Sequence, residues 1–247
     1  MRVARAGRRI LDRALGPFAG SLVAVRSREK LMALTFDDGP DPDWTPRLLD
    51  LLARRGMRGT FFLVGARAAR YPELVARIAA EGHEIGNHSW DHPSLPTLSW
   101  RAVAAQLARA RAALAPHGAR LMRPPYGDQT PASHLIARCL GYRVVLWSVN
   151  PHDWEARDAE ALAERILAKA GPGAIVLLHD TLYSYADAAF CDRSPTLGAV
   201  EILAERLADF RFVTVSELMR RGRPVRRYRM KRSRDAWLAD LQTDPAT

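Results

Sequence analysis

Cysteine is nearly absent from this chain: Cys139 and Cys191 stand far apart and outside any metal-ligand spacing. A disulfide framework is excluded, and the pair reads as two buried thiols of a reducing compartment. Long apolar runs are missing too. No stretch reaches the ~20 residues of a membrane-spanning helix. Asp12 and Arg13 interrupt the apolar part of the N-terminus, and no clear small-residue cleavage site follows. The expectation is a cytoplasmic protein, with peripheral attachment to the inner face of the membrane as an option. Nucleotide signatures are also absent: there is no G-x-G-x-x-G, no phosphate-loop lysine, no internal repeat and no low-complexity segment.

What is present is a chain of 247 residues, 48% hydrophobic, enough for one well-cored domain. Its net charge of +10 is unevenly spread. Residues 1–30 carry eight Lys/Arg against two Asp/Glu, and residues 220–247 carry nine against three. The body between them is therefore slightly acidic. The division expected is a basic N-terminal segment over 1–29, a catalytic body over 30–219 and a basic, solvated C-terminal tail over 220–247. Residues 3–25 fit a basic amphipathic helix, with Val3, Ile10, Leu11 and Leu15 on one side and Gly16-Pro17 ending it. Such ends suit an anionic membrane surface. No nucleic-acid module accompanies the run from Arg220 to Arg234, so nucleic acid is not an expected partner. The sequence is silent on oligomeric state.

From residue 30 onward, strand and helix patterns alternate. Strands are expected at 31–36, 59–64, 83–86, 121–123, 143–149, 174–179 and 212–215, with helices between them. The spacing indicates βαβ units and a parallel sheet. About seven strands favour an α/β fold of the incomplete, distorted (β/α) barrel type.

The chemistry-bearing residues fall just after those strands. Leu34-Thr35-Phe36-Asp37-Asp38-Gly39-Pro40 places two carboxylates at the end of a buried strand, where repulsion and desolvation select against them unless a cation or a proton-transfer task retains them. His88 and His92, spaced i, i+4, can aim two imidazoles at one ion. Two imidazoles and one carboxylate leave positions open for water and substrate, as in a hydrolytic site. Zn²⁺ fits that donor set, and Co²⁺, Ni²⁺ and Mn²⁺ remain open. The second carboxylate is then free to act as a base, held by a forked hydrogen bond from Arg123. His179, after the apolar run 174–178, is the candidate acid, with Asp153 as the partner that keeps it cationic. His83, His117, His134 and His152 have no ligand spacing and read as structural or surface groups. Trp44 and Trp90 read equally as cleft lining or as packing.

Five segments in order, Thr35–Pro40, Asn87–His92, Arg123–Gly127, Asn150–Trp154 and Leu177–His179, together resemble the motifs of the polysaccharide deacetylase (NodB-homology) family over about residues 30–219. The resemblance implies metal-dependent hydrolysis of an N-acetyl group on an amino sugar, with release of acetate. It implies Asp37 as general base and Asp38, His88 and His92 as metal ligands. Arg123 orients the base, and Asp153 partners the acid His179. The backbone N–H of Tyr126 contacts the oxyanion, and Trp154 and Leu177 wall a small acyl pocket. An oligosaccharide or lipid-linked precursor is the expected substrate. An O-acetyl esterase, a deformylase on a lipid-linked sugar, or a catalytically silent sugar- or membrane-binding module would use the same fold. Two departures stand out: Asn150 where the family usually has Asp, and a long segment 181–190 carrying Tyr183, Tyr185 and Phe190.

Overall fold

The computed structural model describes residue 16 and residues 19–243. Its strands are β1 (Ser21–Arg26), β2 (Leu31–Asp37), β3 (Thr60–Leu63), β4 (Glu84–Asn87), β5 (Gly118–Met122), β6 (Arg143–Val144), β7 (Ile175–His179), β8 (Ser184–Tyr185), β9 (Arg211–Phe212), β10 (Arg223–Arg227) and β11 (Gln242–Thr243). The helices are α1 (Trp44–Arg54), α2 (Gly65–Arg70), α3 (Pro72–Ala80), α4 (Trp100–Ala113), α5 (Pro131–Cys139), α6 (Ala159–Leu167), α7 (Ser194–Arg206), α8 (Val215–Arg220) and α9 (Asp235–Ala239).

Seven strands form one parallel sheet in the order β6-β5-β4-β3-β2-β7, with β9 joining β2 at its start. Every residue of β2 and β3 is buried, because the sheet is covered on both faces. Helices supply that cover through apolar stripes; α1 buries Leu48, Leu49, Leu51 and Leu52 against the sheet's outer face. The expected incomplete (β/α) barrel with about seven parallel strands is thus observed.

Segment 143–149 differs from the continuous strand expected there. Only Arg143–Val144 pair regularly; beyond them Val145 bridges Leu22 and Val149 bridges Val176. This irregular stretch lies between β5 and β7, joined to β7 by an isolated bridge, so the barrel stays incomplete there. The last expected strand shortens to Arg211–Phe212, because Thr214 caps α8, accepting from the Glu217 N–H, and Val215 enters that helix.

Both ends of the chain depart from expectation. Residues 21–26, placed in an amphipathic helix by sequence, are β1 and pair antiparallel with β10. Most of the remaining expected helix lies outside the described residues. The described part of the C-terminal segment, though mostly exposed, is tied to the body: β10 pairs with β1, and β11 pairs with β8. The thiols are not both buried either, since Cys139 is exposed and Cys191 half-buried. Among the described residues, no helix is long and apolar enough to cross a membrane.

Candidate active site

Strand register decides what converges. Asp37, the last residue of β2, lies directly opposite His179, the last residue of β7. On the other side β4 ends at Asn87, beside Met122 of β5, so His88 and Arg123 emerge next to one another. All four residues lie at the C-terminal ends of parallel strands, where barrel sites are built.

Asp38, His88 and His92 form the one group among the described residues able to hold a metal ion, their ligand atoms within 4.8 Å of one another. Asp38 Oδ1 lies 3.3 Å from His88 Nε2 and 3.1 Å from His92 Nε2. That oxygen is buried without a hydrogen-bond donor, whereas Oδ2 accepts from the Tyr183 backbone N–H at 2.9 Å. A buried carboxylate oxygen left unpaired among imidazole nitrogens fits a divalent cation. His88 Nδ1 lies 2.7 Å from the Arg123 carbonyl, an arrangement that puts the proton on Nδ1 and leaves Nε2 for an ion. Burial raises the Asp38 pKa, but the adjacent His92 and His88 overcome that and hold it well below the usual range.

Asp37 is buried and accepts from Arg123 Nη1 at 2.7 Å. The forked contact expected from sequence is not formed. The same Nη1 also reaches Thr35 Oγ1, while Nε and Nη2 donate to the carbonyls of Val145 and Leu146. The guanidinium is thus fixed by the irregular segment 143–149 and lies over the Phe62 ring, 4.2 Å from its centre. Burial lowers its pKa, with Asp37 opposing.

His179 and Asp153 form a second pair. Asp153 Oδ1 lies 2.8 Å from His179 Nδ1, and Oδ2 accepts the His179 backbone N–H at 2.8 Å. Burial alone would lower the His179 pKa, but Asp153 outweighs it and pushes it up to about 9. Asp153 itself is depressed: burial raises it, and His179 and the buried Arg193 overturn that. Arg193 Nη2 donates to the Asp153 carbonyl at 2.8 Å.

Asp37, Asp38, His88, His92 and His179 line a cavity of about 300 Å³ together with Tyr126, Trp154 and Leu177. Every sequence-derived site residue therefore meets here except Arg123 and Asp153, which lie behind Asp37 and His179. Trp44 and Trp90 do not line the cavity; Trp147 does. His152, read as structural or surface, is at its rim with its ring 4.7 Å from Trp154. Asn150 accepts the His152 N–H at 3.0 Å, a turn contact an Asp would make equally. Among the described residues, five non-glycine residues have positive φ: Asp38, Ser89, His92, Tyr126 and His152. All five belong to these rim loops, where strained backbone aims functional groups.

A model of the family described as polysaccharide deacetylase matches residues 24–145. A peptidoglycan-N-acetylglucosamine deacetylase of Bacillus cereus is 38% identical over 217 residues, covering 85% of this chain and 98% of that protein. The chain belongs to the polysaccharide deacetylase family. Peptidoglycan-N-acetylmuramic acid deacetylase PdaC of Bacillus subtilis is 35% identical over 78% of this chain, which spans only 40% of that longer protein. The crystal structure of the Bc1960 peptidoglycan N-acetylglucosamine deacetylase superposes with a TM-score of 0.73 at 31% identity, covering 79% of this chain and 91% of that one. The family match takes in Asp37, Asp38, His88, His92, Arg123 and Tyr126 and stops before Asp153 and His179.

Sequence reasoning missed several residues here. Asp180, wholly buried, accepts from Thr45 Oγ1, and burial pushes its carboxyl up to about 7. A Cβ at Gly39 would lie 2.3 Å from Asp180 Oδ2, so glycine is what lets the Asp37–Pro40 turn approach that carboxyl. Arg193, Lys231, Trp237 and Leu241 carry no motif. Their proximity depends on long-range folding, which local pattern does not encode.

Proposed function

We propose that the protein is a metal-dependent N-deacetylase that removes acetyl groups from amino-sugar-containing oligosaccharides, polysaccharides or lipid-linked precursors. The observation that carries this is the convergence of the Asp38–His88–His92 triad, the Asp37–Arg123 pair and the Asp153–His179 pair on one cavity. The named relatives act on N-acetylated glycans, in agreement with this reading.

Asp38, His88 and His92 would hold one divalent cation, Zn²⁺ fitting the two-nitrogen, one-oxygen donor set best. Such an ion acts as a Lewis acid that polarises the amide carbonyl and acidifies water. Asp37, steered by Arg123, takes the proton from the attacking water. The Tyr126 backbone N–H meets the charge that develops on the carbonyl oxygen. His179, kept protonated by Asp153, delivers a proton to the departing amine nitrogen, so that acetate and a free amino sugar leave. Trp154 and Leu177 bound the space for the acyl methyl.

Acetate release should be measured across N-acetylated oligosaccharides and lipid-linked sugars, with metal analysis of the same sample. Asp37→Asn should retain metal and lose activity by about 10²–10⁴-fold, while His88→Ala should lose metal. Near-normal turnover in Asp37→Asn would remove that residue from the role of base.

A further inference from the structure

We infer that the C-terminal segment Lys231–Thr243 is a strap belonging to the active site, with Trp237 a platform for the glycan and Lys231 a positioning residue for the Tyr126 turn. The inference rests on the deacetylase reading and names how that site grips its substrate.

The anchor is a buried carboxylate. Asp128, wholly buried two residues after Tyr126, accepts from Ser94 Oγ at 2.8 Å. Its remaining capacity is met by the strap: the Ser233 N–H at 2.8 Å, Ser233 Oγ at 3.0 Å and Lys231 Nζ at 3.3 Å. A buried carboxylate deprived of such partners is costly, so the strap is integral to this loop. Gln129 and Lys231 also exchange backbone hydrogen bonds of 2.8 and 3.1 Å.

From that anchor the strap reaches the chemistry twice. Lys231 Nζ donates to the Tyr126 carbonyl at 2.8 Å. Tyr126 has φ 57°, so a held carbonyl restrains a peptide that would otherwise relax out of the left-handed region. Four residues after Ser233, the Trp237 ring stands edge-on to Tyr126, with centres 5.6 Å apart. Trp237 and Leu241 both line the catalytic cavity, yet Trp237 keeps 41% of its surface exposed. A half-exposed indole at the mouth of a sugar-processing cavity offers an apolar face for a pyranose ring. Beyond it, β11 pairs with β8, tying the strap to the aromatic loop 181–190 on the facing wall.

Steady-state kinetics on N-acetylglucosamine oligomers of two to six sugars separate the two contributions. Trp237→Ala should raise KM about tenfold, roughly 1.4 kcal/mol of ground-state binding, with kcat within about threefold; Trp237→Phe should restore KM. Lys231→Met should lower kcat about fivefold with KM unchanged, and Lys231→Arg should recover it. Thermal melts of each variant accompany the rates. If the Ala and Met variants lose kcat alike, in step with loss of folded protein, the strap is only a structural brace and the inference falls. Unchanged kinetics in an active wild-type background also overturn it, while leaving the deacetylase reading intact. If the wild-type protein releases acetate from lipid-linked sugars but from none of these oligomers, the platform for an oligosaccharide is overturned while the deacetylase reading stands.

Discussion

At the scale of single residues, the site is a study in charges that burial alone would neutralise. Asp37, Asp38, Arg123 and Asp153 are all buried, and each keeps an oppositely charged or ionisable partner within reach. His179 shows the consequence for pH. Its folded pKa of about 9 lies above the ordinary 6.5, so the proton is held through neutrality and lost as pH rises through that value. The alkaline limb of kcat/KM should therefore follow His179, and a cation bound at Asp38 will pull that limb lower. Asp153→Asn removes the negative charge that raises His179, so the limb should move toward the acid side. A pH–rate profile of the two proteins checks this; an unmoved limb would detach the acid from that pair. The stability that the raised His179 pKa contributes is present below about 6.5, as long as Asp153 stays ionised, and is lost as pH rises through about 9.

At the scale of elements, the strands and helices of the body were largely legible because each follows its local period. β2 and β7 are apolar runs buried on both faces, and α1 has its apolar stripe with Pro46 in the first turn. Site residues were legible for a related reason: charged groups directly after apolar strands are rare without a task. What local pattern did not carry was pairing between distant segments. β1 looks helical in isolation and becomes a strand because β10, some 200 residues away, covers it. Segment 143–149 carries β-branched Val144, Val145 and Val149, yet its neighbours allow regular pairing only over Arg143–Val144. Helix α5 offers a test of local encoding. Thr130 accepts from the Ser133 N–H at 3.2 Å, and Ser133 Oγ accepts from the Thr130 N–H at 2.9 Å, a reciprocal cap. Thr130→Ala should cost about 1 kcal/mol in a chemical-denaturation curve. The catalytic constants should hold, since the loop before the helix is separately anchored through Asp128 and Gln129.

At the scale of the whole molecule, one cluster of arginines stands apart from the catalytic cavity. Arg120, Arg138, Arg143 and Arg226 line one cavity beside the starts of β5 and β6. Burial lowers the Arg226 pKa, and the neighbouring Arg143 and Arg138 lower it further. A cationic face of this kind predicts salt-sensitive partition to anionic vesicles and none to neutral ones. Flotation at low and high ionic strength checks this, with Arg143→Glu and Arg226→Glu expected to weaken it. Retention that ignores salt and both substitutions would discard the membrane reading. The C-terminal basic run is largely exposed yet pairs with β1 through β10 and reaches the catalytic cavity through Lys231.

Arg123 links these scales. The group that holds Asp37 draws its own bearings from the carbonyls of Val145 and Leu146, in the irregular stretch between β5 and β7. On the proposed mechanism, a chain with that stretch displaced would present an unguided carboxylate, so Asp37 is expected to act as base only once residues 143–149 are in place.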